Sequence, residues 1–482
     1  MTFFFISKQP CLTYTKESTS PHSYYSNHTY LLLYLHLSLY LFSLCFFYPS
    51  MQENNNEYDL QIARDLFFKI REDSNNLQDQ NRLQNSLIIS KGKMYKEAKD
   101  FESMNIGNEL VNVLYSQSFD KPSLVQSRVI PTILNGGNVA VQSPSGTGKT
   151  IAYLLGVIKT IEVGYGPQAL ILSPTRELNT QIAQVLDKFV NVTGLRYHLA
   201  VRGTQSFHNE NNITEEIVLG SPGSILTLCT KNKINPNNIR ILVFDEADLL
   251  LDKERMGAQS FRILKGFPHS RKVFVSATYN EELKNTLHAY CNELTEMYES
   301  KNRKPDEIQL YYIESGYKQK IEAIMALIGS LIIGQCIIFV STKKTVKELQ
   351  EILEADFNTV AVLHGDLSPP ERDEVVRNFK EGKSKILVTT DVFSRGMDIP
   401  MVNLIINFDL PYHDKVLLLD TYIHRIGRSG RFGRVGFVVD LINSKEFPDY
   451  LQIQNSLDTI SRKFTIEALE KVHLQESGMS KN

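Results

Sequence analysis

Short apolar runs alternate with helix-length amphipathic stretches along most of this 482-residue chain. The first set of runs covers residues 139–141, 169–172, 241–244 and 273–275, and the second covers 337–340, 360–363, 386–388, 404–406 and 437–439. A continuous apolar run of strand length is typical of a strand that is buried on both faces of a parallel sheet. The sequence therefore predicts an α/β protein with two domains in tandem.

A polar, charged and proline-containing segment at 299–309 separates the two sets, and its composition is typical of an interdomain linker. We expect a first domain at 99–298, a second domain at 310–475 and a tail at 476–482. Residues 51–98 are rich in Asn, Gln and charge, which favours a partly helical, partly mobile extension. The length of the chain also exceeds what one hydrophobic core usually holds.

The first fifty residues differ from the rest, because residues 30–48 form an uncharged run rich in Leu, Tyr and Phe. This run is long enough to span a bilayer, but it starts late for a signal peptide and lacks a small-residue cleavage site. It is either a membrane anchor, or a spurious translation upstream of a working start at Met51. We favour the second interpretation and expect no membrane association.

Bulk composition excludes some classes of protein. A formal net charge of −2 argues against nucleic-acid binding through a globally basic surface, although local basic patches remain compatible with it. The five cysteines show no paired spacing, which indicates neither a zinc site nor a disulfide framework. A reducing compartment, the nucleus or the cytoplasm, is therefore expected.

The segment from Ser143 to Thr150 follows a predicted strand and precedes an apolar helix. Glycines let such a loop turn tightly, so that backbone N–H groups and the helix N-terminus face phosphates. We expect Lys149 to reach the outer phosphates and Thr150 to ligate Mg²⁺. The other residues predicted to line the nucleotide in this loop are Ser145, Gly146, Thr147 and Gly148. Ser143 stands where the motif usually has its first glycine.

Two acidic residues, Asp245 and Glu246, end a strand whose preceding residues are all apolar. A carboxylate at the carboxyl end of a parallel strand points into the ligand crevice. Asp245 is predicted to hold Mg²⁺ through water, and Glu246 to polarise the attacking water. Alone, the acidic group equally fits a helix cap or a solvated turn.

An arginine-rich segment, His424 to Arg431, lies almost 280 residues further along, in the second predicted domain. Guanidinium groups bind phosphate oxygens bidentately. The two segments together indicate one nucleotide held between two domains. An exposed basic helix that binds RNA, or nothing, is the alternative.

The order of these motifs, with Ser276-Ala277-Thr278 after the acidic group, resembles the DEAD-box ATP-dependent RNA helicases from about Phe101 to residue 470. The resemblance implies two RecA-like domains. It also implies that Phe101 stacks on adenine and Gln126 reads its edge, although Phe101 also fits a core aromatic. Further residues match the family's nucleotide and coupling motifs: Gly396, Asp398, Arg428 and Arg431 at the nucleotide, and Ser276, Thr278, Asp248, His424 and Arg425 as couplers.

The resemblance also implies an RNA-binding track across both domains. The matching positions are Pro174, Thr175, Arg176, Gly203, Ser221, Gly223, Thr390 and Arg395. Two positions depart from the family pattern: Ser224 stands where arginine is usual, and Pro369 stands where glutamine is usual. Contacts with the RNA backbone carry no sequence information, so we expect RNA binding that is largely sequence-independent and sensitive to salt.

Ten residues separate Pro411 from Tyr422, and this long connection resembles the mRNA-export branch of the family, which works at the cytoplasmic face of the nuclear pore. The resemblance implies a monomer whose partners are RNA, a nucleoporin and an export factor that uses inositol hexakisphosphate. Its cofactors would be ATP and Mg²⁺. A translation-initiation type of helicase and a non-turnover ATP-gated RNA clamp remain as alternatives.

Overall fold

The computed structural model describes residues 51–73, 88–92, 95–144, 146–201, 212–299, 308–331, 334–356, 359–391, 402–430 and 435–476. The hydrophobic segment 1–50 and most of the expected linker lie outside these residues. Six of the predicted site residues also do, and their roles stay predictions: Ser145, Gly203, Arg395, Gly396, Asp398 and Arg431.

The first domain is built on an eight-stranded sheet with the order β1-β8-β2-β7-β6-β3-β5-β4. Its strands are β1 (Ile88–Lys91), β2 (Asn138–Gln142), β3 (Ala169–Leu172), β4 (Tyr197–Ala200), β5 (Ile217–Gly220), β6 (Ile241–Asp245), β7 (Arg271–Ser276) and β8 (Leu294–Glu299). The edge strand β1 runs antiparallel to β8, and the remaining neighbours are parallel.

Helices connect the strands of this first sheet. They are α2 (Asn108–Ser116), α3 (Leu124–Leu134), α4 (Lys149–Thr160), α5 (Arg176–Thr193), α6 (Pro222–Thr230), α7 (Ala247–Leu250), α8 (Gly257–Gly266) and α9 (Glu281–Tyr290). Two separate clusters of buried apolar side chains pack against the sheet. The carboxyl ends of its parallel strands therefore form one edge at which loops and helix N-termini meet.

The second domain has a seven-stranded parallel sheet with the order β11-β12-β10-β13-β16-β9-β17. Its strands are β9 (Ile308–Glu314), β10 (Gln335–Phe339), β11 (Val360–Leu363), β12 (Ile386–Thr389), β13 (Val402–Asn407), β16 (Gly436–Ile442) and β17 (Arg462–Lys463), and a hairpin adds β14 (Tyr412–His413) and β15 (Val416–Leu417). The helices are α10 (Tyr317–Ser330), α11 (Lys343–Asp356), α12 (Pro369–Lys380), α13 (Leu419–Ile426), α14 (Phe447–Ser456) and α15 (Ile466–Glu476).

The prediction of two tandem α/β domains is confirmed. Each apolar run singled out from the sequence lies in a strand, apart from Val340, which follows the last residue of β10. The central strands β3, β6 and β16 are buried along their whole length. Burial on both faces explains why these strands appear as continuous apolar runs rather than as alternating patterns.

A long helix, α1 (Met51–Asp73), precedes the first domain in sequence, yet its apolar side chains join the core of the second. Ile62, Leu66 and Ile70 are fully or almost fully buried at a spacing of four residues, which places them on one face of the helix. Arg462 pairs with Asp65 at 3.7 Å beside this face. Among the described residues, no helix combines the length and the apolar character needed to cross a bilayer.

Candidate functional site

The loop between β2 and α4 contains two glycines with left-handed backbone angles, Gly146 at φ 83° and Gly148 at φ 87°. A Cβ atom on Gly148 would lie 2.4 Å from Nε2 of Gln126. Gly148 is therefore required both by its backbone conformation and by the space beside it. The loop ends at the N-terminus of α4, where unpaired backbone N–H groups favour an anion.

Lys149 is folded back over this loop, and its Nζ donates to the carbonyl oxygens of Ser143 at 2.5 Å and Pro144 at 2.7 Å. The Ser143 hydroxyl donates to Oγ1 of Thr147 at 2.8 Å, so the residue that replaces the usual glycine ties the loop together. The arrangement places a positive charge beside the helix N-terminus. Its chemistry fits the phosphates of a nucleotide.

Asp245 and Glu246 lie at the carboxyl end of β6, as predicted from the apolar run before them. Asp245 accepts hydrogen bonds from the Tyr153 hydroxyl at 2.9 Å and from the Glu246 backbone N–H at 3.1 Å. Burial, with a smaller contribution from the charge of Glu246, raises the pKa of Asp245 to about 7. The protein alone therefore disfavours two charged carboxylates at this point.

A divalent cation fits this pair. Oε2 of Glu246 is buried without a hydrogen-bond partner among the described residues, which is costly unless a ligand or water satisfies it. Hard oxygen ligands of this kind suit Mg²⁺, and its charge would favour the ionised form of Asp245. Thr150 is partly exposed at the start of α4, directly after Lys149. These residues are compatible with the predicted ligand pair Thr150 and Asp245.

Asp248 contacts three of the other predicted coupling residues. Its Oδ1 accepts from the Ser276 hydroxyl at 2.6 Å, and its Oδ2 accepts from the Thr278 hydroxyl at 2.9 Å. Nε2 of His424, on α13 of the second domain, lies 3.2 Å from the same Oδ2 atom. The other ring nitrogen, Nδ1, lies 3.8 Å from Oε2 of Glu246. One carboxylate thus links the end of β7 to the arginine-bearing helix of the other domain.

Arg425 and Arg428 of the second domain are buried. Arg425 donates from Nε to Oδ1 of Asp391 at 2.6 Å and from Nη1 to the backbone oxygen of Asp409 at 2.7 Å. Its guanidinium also lies over the Phe339 ring, 5.0 Å from the centroid. Nε of Arg428 donates to the backbone oxygen of His424 at 3.2 Å. Arg425 is therefore held by residues of its own domain. Arg428 lies four positions after His424, which contacts Asp248.

The two residues predicted to hold adenine are both buried. Phe101 has no exposed surface and packs edge-to-face on Tyr115, with ring centroids 6.4 Å apart. Its ring lies among core side chains in this conformation, and its stacking on adenine stays a prediction. Gln126 is also buried; its Oε1 accepts from the Ser123 backbone N–H at 2.9 Å, and its Nε2 donates to the Gly148 oxygen at 3.4 Å. Gln126 therefore supports the phosphate-binding loop through its hydrogen bond to Gly148.

Two of the predicted RNA-binding residues cap helices at one edge of the first sheet. Oγ1 of Thr175 accepts from the Leu178 N–H at the start of α5, and Oγ of Ser221 accepts from the Ser224 N–H at the start of α6. Because both helices follow parallel strands, β3 and β5, their N-termini lie on the same side of the sheet. Pro174 and Gly223 adjoin these caps, so this edge can receive consecutive phosphates.

The two departures from the family pattern have structural explanations. Ser224 is buried, and its hydroxyl oxygen accepts from Ser221 at 3.1 Å, so it lies inside the helix start. Pro369 is the first residue of α12, a position at which proline costs no hydrogen bond. Thr390, predicted to contact RNA from the second domain, directly follows β12 and is half-buried.

Comparison with known proteins identifies the family. Residues 123–286 match the DEAD/DEAH box helicase family, and residues 319–433 match the helicase conserved C-terminal domain. The chain belongs to the DEAD-box ATP-dependent RNA helicases. It is accordingly an RNA-dependent ATPase with two RecA-like domains, as the motifs predicted.

Relatives of this helicase cover most of its length. ATP-dependent RNA helicase DBP5 of Kluyveromyces lactis is 34% identical over 409 residues, covering 83% of this chain and 82% of the relative. ATP-dependent RNA helicase FAL1 of Saccharomyces cerevisiae is 37% identical over 386 residues, covering 76% of this chain and 93% of the relative. The similarity therefore includes both domains.

Solved structures show the same architecture. S. cerevisiae Dbp5 bound to RNA and ADP BeF3 gives a TM-score of 0.74 at 33% identity and covers 80% of this helicase and 100% of that chain. A variant of S. cerevisiae Dbp5 bound to Nup159, a variant of Gle1, IP6 and ADP gives a TM-score of 0.57 at 33% identity, covering 77% of this helicase and 99% of that chain.

Two ion pairs between the domains of the helicase were not predicted from the sequence. Nη2 of Arg176 lies 2.7 Å from Oδ2 of Asp373, and Nη1 of Arg372 lies 3.5 Å from Oε1 of Glu177. Each domain thus contributes one arginine and one adjacent carboxylate. Arg176, predicted to bind RNA, is engaged with the other domain in this conformation. No local signal in the sequence pairs α5 with α12, because their residues are nearly 200 positions apart.

Proposed function

We propose that this helicase couples ATP hydrolysis to the closure of its two domains around RNA, and that closure unwinds short duplexes or remodels RNA–protein complexes during mRNA export. The observation that carries the proposal is the cluster at Asp248. A single carboxylate contacts Ser276 and Thr278 in the first domain and His424 in the second. This cluster forms only when the domains are together, so the catalytic groups and the RNA-binding edge are completed by the same movement.

Each predicted catalytic residue that the structure describes has a distinct task in this proposal. Lys149 neutralises the outer phosphates, and Thr150 and Asp245 would hold Mg²⁺, which supplies charge neutralisation at the phosphates when it is bound. Glu246 has a buried Oε2 with no hydrogen-bond partner among the described residues, which suits it to orient the attacking water. Arg428, from the second domain, stabilises charge that develops on the transferred phosphoryl group.

RNA binds along the edge formed by the helix caps Thr175 and Ser221 and continues to Thr390 in the second domain. Helix N-termini and hydroxyl groups contact phosphate rather than bases. The helicase is therefore expected to act on RNA with little sequence preference and to bind it more weakly at high salt.

A role in mRNA export rests on the likeness to Dbp5, which has been solved with Nup159, Gle1, IP6 and ADP. We assign the corresponding partners to this helicase: a nucleoporin, and a Gle1-type factor that uses inositol hexakisphosphate. The cytoplasmic face of the nuclear pore is then its place of action. The direct check is whether a Gle1-type protein with IP6 increases its RNA-stimulated ATPase activity, because a helicase of another pathway would show no such increase.

The activity itself is tested by measuring ATP hydrolysis with and without a single-stranded RNA, for the wild type and for Glu246→Gln. Loss of the carboxylate removes the group that orients water, and we expect turnover to fall by about 10²-fold or more. Nucleotide binding should persist, since the phosphate loop is unchanged. Equal turnover in the two proteins would refute the assignment of Glu246, and a lack of RNA stimulation in the wild type would refute the coupling to RNA.

A further inference from the structure

Asp440, on β16, is a buried carboxylate that neither the nucleotide site nor the RNA-binding edge uses. It has no exposed surface. Its carboxylate accepts three hydrogen bonds: Asn407 Nδ2 donates to Oδ1 at 2.7 Å, and the hydroxyls of Tyr422 and Tyr450 donate to Oδ2 at 2.7 and 2.9 Å. Among the described residues, no basic side chain forms a direct ion pair with it. Such burial of a carboxylate is costly, so its place in the fold needs an explanation.

Two of the three donors lead to the arginine-bearing helix α13. Tyr422 lies on this helix itself. Asn407 is the relay to Arg425, because its Oδ1 accepts from Nη1 of Arg425 at 3.2 Å while its amide donates to Asp440. Tyr422 and Arg425 are three residues apart and therefore lie on the same face of the helix. Asp440 thus holds α13 at two points along that face.

The side chains that act at the nucleotide lie next to these two anchors. His424, which contacts Asp248 in the first domain, is between Tyr422 and Arg425, and Arg428 follows one turn later. We propose that Asp440 is a positioning residue for ATP hydrolysis, which fixes the orientation of α13 through Tyr422 and Asn407 and thereby places His424 and Arg428. The inference rests on the proposed function, in which Arg428 acts on the phosphoryl group.

The charge of Asp440 matters because charge-assisted hydrogen bonds are shorter and stronger than neutral ones. Burial raises the pKa of Asp440 to about 6, while the hydrogen bonds from Asn407, Tyr422 and Tyr450 and the charge of Arg425 act in the opposite direction. Burial also raises the pKa of both tyrosines well above 10, so neither of them titrates near neutral pH. Between pH 7 and 5, Asp440 is the member of this group that gains a proton.

The raised pKa gives the sign of the effect on stability. Because the folded-state value lies above the ordinary 3.8, the contribution of this group to stability is fully present below pH 3.8 and is lost as the pH rises through about 6. The ionised carboxylate therefore destabilises the fold at pH 7.5. Asp440→Asn removes this buried charge with little change in side-chain shape, but its amide nitrogen cannot accept a hydrogen bond, so the thermal midpoint of the variant is measured alongside its activity.

The decisive experiment measures kcat of RNA-stimulated ATP hydrolysis for wild type and Asp440→Asn in the full chain, from pH 5.5 to 8. We expect kcat at pH 7.5 to fall about tenfold in the variant at an assay temperature at which the variant remains fully folded. The ratio of wild-type to variant kcat should decrease as the pH falls through about 6, where the wild-type carboxyl gains its proton. A purely structural role predicts that activity follows stability, and it would leave this ratio independent of pH.

Two tyrosines provide a matched control. Tyr422→Phe and Tyr450→Phe each remove one hydroxyl from the same oxygen of Asp440, but only Tyr422 lies on α13. Tyr422→Phe should lower kcat severalfold, and Tyr450→Phe should leave kcat within twofold of wild type. Equal effects of the two variants, or an unchanged kcat in Asp440→Asn, would overturn the inference. Glu246→Gln is assayed alongside: if it keeps full turnover, the proposed catalytic site has failed rather than the link to Asp440.

Discussion

The crossed ion pairs between α5 and α12 predict a measurable contribution to domain closure. Replacing Asp373 by alanine removes the partner of Arg176 at 2.7 Å and leaves the second pair, Arg372 with Glu177, in place. Since each pair joins residues of different domains, its energy is gained only in the closed state. Asp373→Ala should therefore shift the equilibrium toward the open state without affecting the fold of either domain.

The solvent exposure of Arg176 and Asp373 determines how much their ion pair contributes to domain closure. The side chains of Arg176 and Asp373 are 24% and 44% exposed, so solvent screens their attraction substantially. Exposed pairs of good geometry contribute about 0.5–1 kcal/mol. That energy corresponds to about a two- to fivefold increase in the RNA concentration needed for half-maximal ATPase stimulation, because RNA binds the closed state.

A double-mutant cycle isolates this contribution. RNA-stimulated ATPase is measured for wild type, Arg176→Ala, Asp373→Ala and the double variant, at low and high salt. Arg176→Ala should have the larger effect, because it also removes the predicted RNA contact, whereas Asp373→Ala removes the ion pair alone. We expect a coupling energy of about 0.5–1 kcal/mol at low salt that declines at high salt.

Additive effects of the two substitutions at low salt would refute the reasoning, because the pair would then contribute nothing to closure. An Asp373→Ala variant with lower thermal stability would also count against it, since the argument places the energy between the domains rather than within one. If Arg176→Ala and Asp373→Ala are equal in effect, the predicted contact of Arg176 with RNA is wrong.

Three further predictions concern other parts of the helicase. Gly148→Ala should abolish nucleotide binding in an equilibrium titration, because the added methyl lies 2.4 Å from a side-chain nitrogen beneath the loop; Gly266→Ala, with open space around it, should bind as wild type. Leu66→Ala should expose α1 to hydrogen exchange by removing about 2–5 kcal/mol of packing, whereas Phe68→Ala, at a 40% exposed position on the same helix, should cost about 1 kcal/mol or less. Ser276→Ala should reduce duplex unwinding more than ATP hydrolysis, since its hydroxyl bonds the carboxylate that joins the domains; equal losses would contradict the coupling role.

Strands such as β3 and β6, which are buried on both faces, were predictable from the sequence, whereas β4 and β17 were not. The runs at 169–172 and 241–244 are continuous and apolar because helices cover both sides of the sheet. In contrast, β4 alternates between buried and half-buried residues and contains a tyrosine and a histidine, and the two-residue strand β17 is exposed. These two strands have too few consecutive apolar residues to give a local signal, so their pairing depends on the neighbouring strand.

The nucleotide-binding loop was equally predictable from the sequence, because its functional residues lie within eight consecutive positions. The glycines at 146 and 148 adopt the left-handed angles that such a loop requires. Phe101 could not be placed in the same way. A phenylalanine before a helix fits both a ligand platform and a core position, and its packing against Tyr115 is visible only in the tertiary structure.

The sequence by itself determined the class of the fold, the order of the motifs and the family, because these depend on local patterns: apolar runs, glycine positions and short groups of charged residues. Tertiary structure alone decided which distant residues meet. It brought α1 to the core of the second domain, Arg176 to Asp373, and Asp440 to the arginine-bearing helix. These contacts join residues that are 18 to about 400 positions apart, and their energy depends on burial and distance, which a one-dimensional pattern does not contain.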